Sequence, residues 1–152
     1  MEEKMKIFVD ADSCPVKKEV LSIAAAFSVP VIFVASIRHQ LSKEIGGTWK
    51  YVDPDDQAAD MYIFNHLRNK DLLVTQDIGL ASLALSKGAF ALSVRGYVYE
   101  EGKIESDLQF RYLAAKARRA GRHTKGPKAL TNEDVQRFMQ NLERILSKVA
   151  GI

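Results

Sequence analysis

The chain has a single cysteine, Cys14, among 152 residues, which excludes an internal disulfide framework and a multi-cysteine zinc site and suits a reducing interior. No apolar run is long enough to span a bilayer, and the charged start Met1-Glu2-Glu3-Lys4 lacks the apolar centre of a signal peptide. A soluble, cytoplasmic protein with no membrane partner is expected. Histidine is scarce: His39, His66 and His123 are dispersed without metal-ligand spacing, and none is assigned to catalysis. Internal repeats and low-complexity tracts are absent. So is acid from one long stretch: residues 108–132 contain no Asp or Glu, while Arg111, Lys116, Arg118, Arg119, Arg122, Lys125 and Lys128 all fall there.

A hydrophobic content of 47% in a chain of this length can build one domain with a real core, so a single domain over residues 1–152 is expected. Net charge is only +3, but acid and base are segregated along the sequence. A cationic stripe beside an acidic centre suits an enzyme of polyanions, since cations neutralise backbone phosphates while carboxylates hold a metal. A solvated helix face accounts for the stripe as readily.

Apolar, β-branched runs at residues 6–9, 31–34, 48–52, 71–75 and 89–94 read as strands. Between them, helical spacing predicts helices over 15–27, 55–69 and 78–87, with a short one near 41–45. Such alternation is the signature of an α/β fold with a mainly parallel central sheet and helices on both faces. Past Gly96, residues 97–99 and 103–104 flank Glu100-Glu101-Gly102 and read as a small hairpin or extended turn. A basic helical part follows from about 106, and a last helix opens at Thr131, with Asp134 in a capping-box position.

The aspartates carry the chemistry. Val9-Asp10-Ala11-Asp12, Asp53-Pro54-Asp55-Asp56-Gln57-Ala58-Ala59-Asp60 and Val74-Thr75-Gln76-Asp77 set carboxylates just after strand-like runs or at the start of the next helix. A parallel sheet opens its crevice outside the carboxyl ends of its strands, so such residues can converge there. Converging carboxylates repel one another, and a hard divalent cation with oxygen ligands relieves that repulsion while accepting substrate phosphate oxygens. Asp10 is the firmest candidate. Asp12 could instead cap the first helix, and Asp77 the helix after it. Asp60 lies inside a helix on its apolar side, where an unpartnered carboxylate is costly, and shares a face with Asp56. Asp53 and Asp55 could simply build the turn around Pro54.

Other side chains are weaker candidates. Cys14 near a helix start could be a nucleophile, but no phosphatase-type cysteine loop or histidine partner accompanies it, and a small packed residue is the plainer reading. Tyr97, Tyr99, Phe110 and Tyr112 interleave with Arg95 and Arg111, an arrangement that can stack the bases of single-stranded nucleic acid or sit in a core.

Asp10-Ala11-Asp12-Ser13-Cys14-Pro15, Asp56-Gln57-Ala58-Ala59-Asp60, Thr75-Gln76-Asp77-Ile78-Gly79-Leu80-Ala81, Arg95-Gly96 with Tyr99, and Gly126-Pro127 occur in order. Together they resemble the bacterial YaiI/YqxD family (uncharacterised protein family 0178), over nearly the whole chain. That family is similar to the PIN-like nuclease fold, whose acidic residues at strand ends bind Mg²⁺ or Mn²⁺ and cut RNA. The resemblance implies that Asp10, Asp60 and Asp77 match the acidic positions, with Asp12 and Asp56 as auxiliaries. Gly79 departs from the pattern, where proline is usual, and loosens that helix start without touching the carboxylate.

The leading expectation is a Mg²⁺- or Mn²⁺-dependent phosphodiesterase of RNA or another nucleic acid. Asp10, Asp60 and Asp77 would be catalytic, these with Asp12 and Asp56 would hold metal, and Arg95, Arg118, Arg119, Arg122 and Lys125 would bind nucleic acid. Two alternatives stand beside it. One is a non-catalytic nucleic-acid-binding module. The other is a small-molecule phosphatase, because Val9-Asp10-Ala11-Asp12 also resembles the nucleophile strand of haloacid-dehalogenase enzymes, which usually have threonine or valine where Cys14 stands.

Overall fold

The computed structural model describes residues 4–39, 45–55, 57–104 and 129–151. Five strands form one sheet: β1 (Ile7–Asp10), β2 (Val31–Ser36), β3 (Thr48–Val52), β4 (Leu72–Val74) and β5 (Phe90–Leu92). They lie in the order β3-β2-β1-β4-β5, every pair parallel. The helices are α1 (Lys17–Ala26), α2 (Ala58–His66), α3 (Ile78–Ser86) and α4 (Asn132–Ala150). This is the expected α/β architecture, consistent with a PIN-like fold.

Side-chain alternation along the strands divides the core in two. Ile7, Val9, Phe33, Leu72 and Val74 face one way and pack with Val20 and Ile23 of α1 and with Phe138, Leu142, Ile145 and Leu146 of α4. Phe8, Val34, Leu73 and Ala91 face the other way, onto Ile63 of α2 and Ile78, Ala81 and Ala84 of α3. Both faces are therefore covered, which is why β4 is apolar throughout and β1 and β2 are apolar up to their last residues, Asp10 and Ser36.

The chain runs out through β1, β2 and β3, then crosses back so that β4 lies on the other side of β1. The carboxyl ends of β1 and β4 thus form the point where strand order reverses, the place where such sheets leave a crevice. Asp71, buried at the opposite end of β4, accepts the backbone N–H groups of Lys6 (2.9 Å) and Arg68 (2.9 Å), fastening the strand where it begins.

Several predicted boundaries shift. The helix expected over 55–69 begins at Ala58 because the Asp55 carbonyl first accepts the Ala58 N–H at 3.1 Å, forming a turn after Pro54. Of the small hairpin or extended turn expected after Gly96, the hairpin between residues 97–99 and 103–104 is not formed. Val98 instead makes an isolated antiparallel bridge to Leu92, and residues 101–104 are helical, with the N–H groups of Lys103 and Ile104 bonded to the Glu100 carbonyl. The helix near 41–45 lies mostly, and the basic helical part from 106 almost wholly, outside the described residues. Thr131 and Asp134 do form the capping box of α4.

Among the described residues no helix is long and apolar enough to cross a membrane.

Candidate active site

Asp10 is the last residue of β1 and shares the parity of Phe8, so its side chain emerges on the face covered by α2. Across from it stands Asp60, in the first turn of α2 and on the same helical stripe as buried Ile63. That stripe carries the helix against the sheet, and its first turn projects beyond the strand ends. Asp77 follows β4, caps α3, and accepts the Leu80 N–H on Oδ1 at 3.2 Å.

Thr75 joins these parts. Its hydroxyl, fully buried, donates to Asp10 Oδ2 at 3.1 Å and accepts the Asp77 N–H at 3.0 Å. Because the oxygen accepts from Asp77, its single proton is committed to Asp10, which fixes that carboxylate's rotamer. Tyr99 in turn donates its phenolic O–H to the Thr75 carbonyl at 3.1 Å.

Asp12 is not the cap of α1, whose N-cap is Val16 without a side-chain bond. Its two oxygens accept the Ser36 N–H at 3.2 and 3.0 Å. The parallel register explains this: Asp10 pairs with Val34, so Asp12 is level with Ser36. The bond ties the loops after β1 and β2 together, as the Gln76 side-chain amide does for β1 and β4 by donating to the Ser13 carbonyl at 3.2 Å.

The resulting cleft has a volume of about 310 Å³, and Asp10, Asp12, Asp53, Asp55, Asp60 and Asp77 all line it, with no basic side chain among the described residues of its walls. Its electrostatics follow. Burial, reinforced by Asp60, Asp12 and Asp77, pushes the Asp10 carboxyl up to about 6 against the lowering effect of Thr75. Asp60 is also raised, first by burial and then by Asp77. Among the described residues no three acidic, histidine or cysteine side chains are grouped tightly enough to hold one ion directly.

A model of the family described as "Uncharacterized BCR, YaiI/YqxD family" matches residues 8–148. The chain belongs to that family. A UPF0178 protein of Bacillus velezensis is 53% identical, with 99% of this chain and 90% of that one covered. A UPF0178 protein of Bacillus cytotoxicus is 45% identical over 100% of this chain and 99% of its own. The crystal structure of Rae1 (YacP) from Bacillus subtilis (W164L mutant) aligns over 94% of this chain and 98% of that one, at 17% identity and a TM-score of 0.35, a likeness that carries no weight for function.

In this YaiI/YqxD family member, Asp10, Asp12, Asp60 and Asp77 meet at one cleft, joined by Asp53 and Asp55, which sequence reasoning assigned only to a turn. Asp55 does both, lining the cleft while accepting the Gln57 N–H at 3.1 Å. Asp56, Arg118, Arg119, Arg122 and Lys125 lie outside the described residues. Arg95 is engaged in the fold: its guanidinium meets Asp134 at 2.6 Å and the Ala129 carbonyl at 3.4 Å. The roles of Thr75 and Ser36 could have been anticipated only from strand register, which sequence alone does not supply.

Cys14 is 3% exposed, and burial pushes its thiol up to about 11. A thiolate fraction of about one in a thousand at pH 8 is no nucleophile. Native protein at pH 8 is therefore expected to resist a disulfide-exchange thiol reagent and to react fully once denatured; native reaction at the denatured rate would overturn this.

Proposed function

We propose that the chain is a divalent-metal-dependent phosphodiesterase that cleaves nucleic acid, RNA foremost, in the cytoplasm. The observation that supports it most is the meeting of Asp10, Asp12, Asp60 and Asp77 at the strand-order reversal, with Asp10 raised to about 6 by burial and by its carboxylate neighbours. An oxygen-only, strongly anionic donor set suits Mg²⁺ or Mn²⁺, and such an ion, Mg²⁺ above all, usually keeps several waters beside one or two carboxylates.

Asp10, Asp60 and Asp77 would hold the ion, with Asp12 beside them. When bound, it would supply a polarised phosphate and an acidified water. The protein's own part is positional. Thr75 holds Asp10 Oδ2 while Asp10 lines the cleft. Asp77 keeps one oxygen on the α3 cap and has the other for the site. Asp60, raised in the ion-free cleft by burial and by Asp77, is a carboxylate whose charge a bound cation would relieve. Aspartates repel phosphate, so productive binding would depend on the ion and on cations, for which the sequence offers the basic residues 108–132.

The test is cleavage of single- and double-stranded RNA and DNA with Mn²⁺ or Mg²⁺, beside identically prepared Asp10→Ala and Asp77→Ala proteins. Cleavage that needs the ion and falls at least about a hundredfold in both variants is expected. Salt-sensitive binding without product under any metal would instead favour the non-catalytic module.

A further inference from the structure

The aspartate cleft occupies the middle of the sheet's carboxyl edge, and among the described residues an exposed aromatic side chain, Tyr97, lies beyond β5. The chain turns there over residues 93–96, closed by the Gly96 N–H on the Ser93 carbonyl at 2.9 Å, and Tyr97 then pairs back, its carbonyl accepting the Ser93 N–H at 2.9 Å. Tyr97 is thereby fixed just past the carboxyl end of β5, on the same edge as Asp10 and Asp77. It is 57% exposed, an unusual state for a tyrosine on a rigidly bonded turn.

One face of its ring is covered by a cation. The Arg137 guanidinium carbon stands 4.4 Å from the ring centroid. That guanidinium is itself immobilised, donating to the Arg95 carbonyl at 3.1 Å and to Asp134 Oδ1 at 3.1 Å. Asp134 is shared with Arg95, so the cation beneath the ring is only partly neutralised. A rigid aromatic plane, open on one side and backed by a positive charge, fits a flat, electron-rich ring attached to a phosphate. A nucleobase in a single strand has that chemistry, whereas a duplex keeps its bases stacked on one another.

We propose that Tyr97, backed by Arg137, is a stacking platform for one base of a single-stranded substrate whose scissile phosphate lies at Asp10 and Asp77. The proposal rests on the nuclease reading and adds strand type and direction to it. Neighbouring strands are about 4.8 Å apart, so the β5 end stands about 10 Å from the β1 end, a distance that a single strand covers in a few nucleotides. The substrate would run along the sheet edge from the acidic cleft toward β5.

The experiment measures binding of mixed-sequence single-stranded RNA, and of a duplex of the same sequence, by fluorescence anisotropy to the protein with its aspartates intact, in Ca²⁺, a hard oxygen-binding ion used in place of Mg²⁺ or Mn²⁺. Tyr97→Leu covers Arg137 with aliphatic bulk but offers no π face, and is expected to weaken single-strand binding about tenfold with little effect on the duplex. Tyr97→Trp is expected to restore or exceed the parent affinity, a rescue that a purely structural role would not produce. Leu and parent proteins of equal affinity, or a Trp protein as weak as the Leu one, would overturn the platform while leaving the nuclease reading intact. A parent that binds neither nucleic acid would overturn both.

Discussion

Asp10→Asn is expected to abolish divalent-ion-dependent cleavage and, in the same protein without metal, to raise the melting temperature. A carboxyl lifted from 3.8 to about 6 by burial and by Asp60, Asp12 and Asp77 is a charge the fold bears at a cost. The direction is fixed by linkage: the unfolded chain ionises this group more readily, so its stabilising contribution is present below about pH 4 and is lost as pH rises through about 6. A rise of about two units corresponds to about 3 kcal/mol at pH 7.5, an upper figure for a carboxylate that retains some contact with water. Asparagine removes that charge and can still accept the Thr75 hydroxyl. In a chain of this size the gain would appear as an increase of several degrees.

Melting curves in a chelator from pH 4.5 to 8 would check it: wild-type stability should fall across this window and the variant's should fall less. Asp134, held below the usual carboxylate range by the Thr131 backbone and by its guanidinium partners, contributes in the opposite sense. Its stabilisation is lost only as pH drops below about 4, outside this window. Mn²⁺ should stabilise the wild type, by about 2.7 kcal/mol at a hundred times its dissociation constant, and the variant far less. A variant that keeps full cleavage would remove Asp10 from the chemistry.

Gly96→Ala is expected to be the most damaging small substitution among the described residues. A Cβ there would lie 2.4 Å from the Phe138 nitrogen, 2.6 Å from the Arg137 carbonyl carbon and 2.8 Å from the Phe138 Cα, all backbone of α4, and Gly96 has φ +91°. No side-chain rotation relieves such a contact, so α4 must lift away, withdrawing fully buried Phe138 from the core. It would also strain the Arg137 bond to the Arg95 carbonyl and the Asn141 bond to the Gly96 carbonyl. A loss above about 4 kcal/mol is expected, from strain and core disruption together. Urea unfolding would measure it, with Gly102→Ala as the contrast: a Cβ at Gly102 meets nothing within 4 Å, and a change within about 0.5 kcal/mol is expected. Equal behaviour of the two variants would show that α4 does not depend on this close approach.

These two residues also mark how far the sequence could be read. Asp10 was legible because a buried parallel strand is a continuous apolar run, and the polar residue that ends it stands at a known edge of the sheet. Asp60 was legible as a charge on an apolar helical stripe. Gly96 and Arg95 were visible as a motif, but their work is done against Asp134, Arg137 and Phe138, some forty residues away, and nothing local encodes that contact. Asp12 was open to two readings, a helix cap or a ligand at the cleft, because aspartate suits both; Val16 stands at the N-cap of α1 instead, and the register of β1 against β2 brings Asp12 onto the Ser36 N–H. The segment after Gly96 stayed open between a hairpin and an extended turn because alternating aromatic and β-branched residues fit either; the chain uses Val98 for one bridge to β5 and then turns helical.

The strand that carries Asp10 is synthesised before the other four of the sheet, yet Ile7 and Val9, its apolar backing, share their core with α4 as well as with α1. An emerging polypeptide cannot close that side of the sheet until residues 132–150 are available. The aspartates are thus translated early and assembled late, and a truncated chain carries most of the cleft's residues without a stable frame to hold them.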